Sequence, residues 1–255
     1  MPIDSAGPTG NLLLDALSDL DRALIASHLE AVTYARGQTV FEAGEQVAHV
    51  TFPCHNAVLA LVVTTRDGRI AETATIGHDG VAGGIVAQGR VPAFVKGMVQ
   101  IGGPMLRLEA ERLEEAASQS ASLRDLLTRY TDCFVAQLLQ TAACNALHPI
   151  EQRCLRWFLT LQDRIGGDTL PITHELLAAM LGVQRTYLTR ILRLLQDQGL
   201  IRVARGRITI LDRPAVSAAA CECHARVRLH CEAVLEPVYA PERRDREPVS
   251  RTRAG

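Results

Sequence analysis

Residues 171–211 read PITHELLAAMLGVQRTYLTRILRLLQDQGLIRVARGRITIL, and this stretch decides the fold. Thr173 is placed to cap a helix running to Leu181, with Leu176, Leu177 and Met180 turned inward. Gly182 supplies a sharp turn, because glycine accepts positive φ without strain. A second helix is predicted from about Gln184 to Gln198. It buries Leu188, Ile191, Leu192 and Leu195 and stops at Gly199. Two short alternating strands follow around Arg205-Gly206-Arg207, within Ile201–Ile210. Helix, turn, helix and basic hairpin in that order predict a winged helix-turn-helix.

The side chains left on the outer face of the second helix define the expected chemistry. Gln184, Arg185, Thr186, Thr189 and Arg190 occupy its amino-terminal end and exposed side. Arginine forks onto guanine in the major groove, glutamine pairs with adenine, and threonine offers a hydroxyl bond or meets a thymine methyl. Thr173, Arg205 and Arg207 are expected to grip the phosphate backbone. Charge supports this division. Residues 169–211 carry 6 basic against 2 acidic side chains, whereas residues 1–130 carry 10 against 15. Neutralising phosphates releases condensed counterions, so the basic module is the part suited to double-stranded DNA.

Upstream, turn signals punctuate Val32–Leu108, among them Gly77-His78-Asp79-Gly80 and Gly102-Gly103-Pro104. Asp67-Gly68 between Leu59–Thr65 and Arg69–Thr75 predicts a tight hairpin. Many short strands at regular spacing predict a β-sandwich or barrel-like roll. Leu12–His28 has apolar residues at helical spacing (Leu13, Leu17, Leu20, Leu24) and predicts a small helical cap. Glu109–Ser118 predicts a short acidic helix, and Ser122 to about Ala146 a long one. On the long helix Leu123, Leu127, Tyr130, Phe134, Leu138, Thr141 and Asn145 form a stripe expected to be a dimer seam. Leu126, Val135 and Leu139 are expected to face the roll, although the main stripe could lie on the roll instead. His148-Pro149 is the hinge candidate, because proline disfavours helix in the residue before it. Pro149–Arg164 is a further helix, ended by Gly166-Gly167.

The length of 255 residues is enough for one large domain or two small ones. Hydrophobic residues at 47% and charged residues at 22% exclude disordered and collagen-like chains. The longest apolar run, Ala57–Val63, is too short to span a bilayer, and Met1–Ser5 has no signal-peptide character. The expected compartment is therefore the cytoplasm, with no membrane partner. Seven scattered cysteines suggest reduced thiols rather than a disulfide framework.

Ile172-Thr173, Leu181-Gly182-Val183, Arg185, Arg190-Ile191-Leu192, Leu194-Leu195, Asp197-Gln198 and Leu200-Ile201 resemble the DNA-binding domain of the Crp/Fnr transcription regulators. The order of roll, long helix and hinge matches as well, over about residues 15–215. The resemblance implies an α+β chain: an N-terminal double-stranded β-helix of the cyclic-nucleotide-binding type over 12–118, then a dimerisation helix over 119–147. It further implies a C-terminal winged helix-turn-helix over 148–215, with a helix over 216–240 and a disordered tail over 241–255 added from composition. A homodimer is implied, reading the two halves of a near-palindromic operator. RNA polymerase and a small-molecule effector of unknown identity are partners compatible with that reading.

Two departures bear on the effector. Cyclic-AMP-binding relatives use a Gly-Glu pair and, about ten residues later, an Arg-Ser pair. The counterparts here are Gly83-Gly84 and Phe94-Val95, while Arg90 and Lys96 are off register. The amino-terminal cysteine cluster of the iron–sulfur members is missing too, so no cofactor is expected. Where many members have glutamate after the recognition arginine this chain has Thr186, so relatives' operator sequences do not transfer.

Other constellations are weaker. Cys221-Glu222-Cys223-His224 and His230-Cys231 would suit zinc or iron chemically, but match no recognised zinc spacing, and Cys221 and Cys223 would face different sides of a helix. No metal site is assigned; packing of a terminal helix is the expectation. Cys133, Cys144 and Cys154 read as small apolar packing residues. His49, His55 and His78 lack the cupin arrangement, and no nucleophile elbow, phosphate loop or carboxylate pair appears, so no enzyme is expected. The competing reading is a metal- or redox-responsive sensor acting through protein contacts, with weak or no DNA binding.

Overall fold

A computed structural model describes residues 8–83 and 91–239. Two short helices, α1 (Leu12–Asp15) and α2 (Asp19–Ile25), open the described chain. They replace the single predicted cap, because Ser18 caps a new helix by accepting from the Asp21 amide; Leu20 consequently points to solvent while Leu13 and Leu17 are buried.

The roll is built from seven antiparallel strands: β1 (Glu30–Tyr34), β2 (Thr39–Phe41), β3 (His49–Pro53), β4 (Val58–Thr64), β5 (Ile70–Ile76), β6 (Lys96–Ile101) and β7 (Gly103–Glu109). They form two sheets, ordered β1-β7-β3 and β2-β6-β4-β5. The β4–β5 hairpin turns at Asp67-Gly68, with Gly68 at φ 80°, as the sequence predicts. Strand β4 is buried on both faces. Leu59 and Leu61 point into the roll, while Val58, Ala60 and Val62 point the other way.

After α3 (Ala110–Gln119) comes α4 (Ala121–Leu147), a helix of 27 residues. Its main stripe lies on the chain's own core instead of forming the expected outer seam; Leu126 packs on that core as expected, but Val135 and Leu139 do not. Leu123, Tyr130 and Phe134 are buried in the chain's own core, whereas Val135 and Leu139 are exposed, Leu139 at 67%. The Tyr130 hydroxyl donates to the Val81 carbonyl and accepts from its amide, both at 3.0 Å, which anchors that stripe to the roll.

His148 leaves the helix in extended geometry, and Pro149 opens α5 (Ile150–Ile165), which ends at Gly166 with φ 62°. The rest comprises β8 (Thr169–Leu170), α6 (His174–Leu181), α7 (Arg185–Asp197), β9 (Ile201–Ala204), β10 (Arg207–Ile210), α8 (Arg213–Ala219) and α9 (Cys223–Val234). Strands β8, β10 and β9 make the third sheet. The expected single helix over 216–240 is thus two elements: Ala220 is extended and breaks the run. The tail from 241 lies outside the described residues, as do Gly84 and Arg90. No helix among the described residues is long and apolar enough to cross a membrane.

The C-terminal half docks on the outer face of β4. Val58, Ala60 and Val62 share one core with Leu155, Phe158, Leu177 and Leu188. Polar contacts complete the dock. Trp157 Nε1 donates to Glu72 at 3.0 Å, His78 Nδ1 donates to the Arg164 carbonyl at 3.0 Å, and Arg164 pairs with Asp79 at 3.2 Å in a largely buried site. Burial alone would raise the Asp79 carboxyl, but the charges of Arg164 and His78 outweigh it and hold the group below the usual aspartate value. Nearby, Asp163 gathers Arg213 at 2.6 Å, His224 at 2.7 Å and Arg228 at 3.0 Å. Burial opposes its ionisation too, yet the His224 hydrogen bond and the three cations hold its carboxyl at about 2.

Candidate nucleic-acid interface

Helix α6 begins because Thr173 Oγ1 accepts from the Leu176 amide at 3.2 Å, and ends because Gly182 takes φ 67°. Gly182 turns the chain directly into α7. On α7, Leu188, Ile191, Leu192 and Leu195 are buried, as the spacing predicts. They seat the helix on α6 and α5 with its opposite side outward.

That outer side carries the expected residues. Gln184, Arg185, Thr186 and Arg190 are exposed, and Thr189 is half-buried with its hydroxyl donating to the Arg185 carbonyl at 2.9 Å. Gln184 stands at the N-cap position but makes no side-chain cap bond, so its amide is not committed there. Thr173 is half-buried and already engaged in its cap. The hairpin of β9 and β10 pairs Ala204 with Arg207, and Arg205 and Arg207 are exposed at its tip, with Gly206 at φ 72°.

Three further residues on this side are not singled out by the sequence reading: Tyr187, 44% exposed in the first turn of α7, and the exposed Arg193 and Arg202. Arg193 lies three residues beyond Arg190 and shares its face. For both arginines the sequence carries a signal, the local excess of positive charge. Among the described residues, the guanidinium groups of Arg185, Arg190, Arg193, Arg202, Arg205 and Arg207 make no hydrogen bond or salt bridge. Six guanidinium groups therefore stand on one helix and its neighbouring hairpin with their donors facing water.

Residues 152–219 match the model of the Crp-like helix-turn-helix domain. That segment carries a Crp-like helix-turn-helix domain. Solved structures with the same fold include TTHA1359, a Crp/Fnr-family regulator from Thermus thermophilus. Identity to it is 18%, with 75% of this chain and 98% of that one covered, at a TM-score of 0.63. TTHB099, a CRP-family regulator from the same organism, is 18% identical over 74% of this chain and 96% of its own, at 0.62. FixK2 from Bradyrhizobium japonicum is 16% identical over 76% and 98%, at 0.61. No curated protein matches the chain. Within the matched segment α6 and α7 are the two helices, and the β9–β10 hairpin follows them.

The potential ligand residues that lie close in sequence near the carboxy terminus separate in space. His224 pairs with Asp163, His230 pairs with Asp132 at 2.6 Å, and Cys231 lies in the core with Cys133. Cys221 and Cys223 turn elsewhere, towards the end of α4.

Proposed function

We propose that this chain works as a symmetric dimer that reads a near-palindromic duplex, each recognition helix entering the major groove of one half-site. The observation that carries the reading is the set of unpaired guanidinium groups along α7 and the wing. Arg185 and Arg190 reach base edges or adjacent phosphates; Gln184, Thr186 and Thr189 tune sequence; Arg205 and Arg207 hold the backbone. Thr173 contributes through the α6 amino terminus that it caps.

The exposed strip Val135, Leu139, Ala142 and Ala146, spaced four, three and four, is the surface suited to pair α4 with its symmetry mate. Pairing sets the two recognition helices about 34 Å apart, one duplex turn. The roll is not a cyclic-AMP site in this reading. Phe94 projects into solvent, Val95 is buried, and Lys96 is paired with Glu42 at 2.8 Å, so these positions offer a cyclic phosphate neither arginine nor serine.

Selection of bound duplexes from a random library, followed by electrophoretic shift, tests the proposal. The expected outcome is a site with two inverted half-sites about ten base pairs apart. Leu139→Arg should give a monomer in sedimentation, with operator affinity down by about 100-fold as bivalency is lost. A dimer unaffected by Leu139→Arg, or no enriched sequence, would defeat it.

A further inference from the structure

We propose that Cys144, His148, Cys221 and Cys223 form a binding site for a single tetrahedral transition-metal ion of the zinc type, placed at the hinge. The site stands or falls independently of whether α7 reads DNA.

The four residues come from three parts of the chain. Cys144 and His148 lie one turn apart at the end of α4, Cys221 sits in the link between α8 and α9, and Cys223 is the first residue of α9. Because Cys221 precedes α9 rather than lying on it, the two thiols meet instead of facing opposite sides. The four ligand atoms all lie within 4.8 Å of one another, and the three cysteines are buried while His148 is partly so.

The spacing matches the ion. A tetrahedron with metal–sulfur bonds of about 2.3 Å and metal–nitrogen bonds of about 2.0 Å has sulfur–sulfur edges near 3.8 Å and sulfur–nitrogen edges near 3.5 Å. Cys144 Sγ and Cys221 Sγ are 3.6 Å apart, and Cys223 Sγ and His148 Nδ1 are 3.5 Å apart. An iron–sulfur cluster would need its thiolates spread around a core of several atoms, which this spacing does not allow. Three sulfurs and one imidazole are the donor set of structural zinc, and they leave no open coordination position for catalysis.

The surroundings suit a ligand set. The outer nitrogen of His148 lies 3.4 Å from a carboxylate oxygen of Glu222. A proton on that nitrogen suits the acidic neighbour and turns the lone pair of Nδ1 toward the thiols. Gln140 Nε2 donates to Cys223 Sγ at 3.0 Å, as a hydrogen bond to a metal thiolate would require. Three thiolates and a divalent ion carry a net charge of −1, and the Arg153 guanidinium lies within electrostatic reach of Cys144 and Cys221 with its Nε buried and unpartnered. Loading would release three thiol protons to solvent and change no oxidation state. It would also tie the last turn of α4, the hinge at His148 and the start of α9 into one unit, on the route from roll to recognition helix.

The test uses the full chain, reduced and stripped with a chelator, then titrated with Co(II) and afterwards Zn(II). The expected result is one Co(II) per chain with the visible absorption of tetrahedral cobalt and thiolate-to-metal charge transfer, both removed by Zn(II). Cys144→Ser and Cys223→Ser should abolish the spectrum, and Cys133→Ala should keep it. Should the serine variants fail to fold, Glu222→Ala at an exposed carboxylate should keep the spectrum while weakening affinity by about 10–100-fold. Absence of stoichiometric binding, an octahedral spectrum, binding untouched by the serine and Glu222 variants, or a Cys144–Cys221 disulfide that persists in reductant would each overturn the proposal.

Discussion

Arginine is used in two opposite ways in the carboxy-terminal half of this molecule. In the dock, Arg164, Arg213 and Arg228 are spent on the chain itself, on Asp79 and Asp163. On the outer side of α7 and the β9–β10 hairpin, six guanidinium groups hold no partner among the described residues. The same side chain is structural where a carboxylate waits within 3.2 Å and the pair is at least partly withdrawn from water, and available where neither holds. Exposure and pairing, rather than residue type, separate the arginines that hold the protein together from those left free for an outside partner.

The largest expected effect breaks the first region. Asp79→Ala leaves the Arg164 charge largely buried and unpaired, and should lower stability by about 3–5 kcal/mol in denaturant titration. Arg185→Ala should move the same midpoint by no more than about 0.5 kcal/mol. Equal losses would erase the distinction.

Next is pH. The Asp163 carboxyl is held at about 2 when folded, against an ordinary value of 3.8. Its contribution, about 2 kcal/mol, is therefore complete above pH 4 and disappears as pH falls through the folded value. The stability gap between wild type and Asp163→Asn should close in that window, and a gap constant down to about pH 2.5 would contradict the assignment.

On the recognition face the effects are on binding. Arg185→Ala should cost about 1–3 kcal/mol at one operator position and relax selectivity there, while leaving random duplex nearly untouched. Smaller still, Arg205→Ala should weaken all sequences alike and lower the slope of log affinity against log salt by about one. A sequence-dependent loss for Arg205 would move it from the backbone to the bases.

Local chemistry makes much of this legible from sequence. Asp67-Gly68 announces its hairpin, and Thr173 and Gly182 frame α6 through a cap and a positive φ that need only neighbouring residues. Pairing across the chain is harder to read. The α4 periodicity reveals apolar stripes but not which one a helix buries at home, since Leu123–Phe134 and Val135–Ala146 both recur at threes and fours. The dock is visible in the run Ala57–Val63, an unbroken apolar strand that excludes solvent on both sides, but its second partner lies about a hundred residues downstream. For the cysteines, adjacency misleads: Cys221 and Cys223 belong with Cys144 and His148, more than seventy positions earlier, and not with His224 or Cys231 beside them.

Strand β4, covered from both directions, has a consequence for how the molecule can be divided. Cutting the chain at Pro149 would strip Val58, Ala60 and Val62 of their cover and present a greasy ridge to solvent, inviting self-association of the severed amino-terminal piece. The roll and the helical half that covers it are thus parts of one solid, and neither fragment would keep the shape it has in the whole.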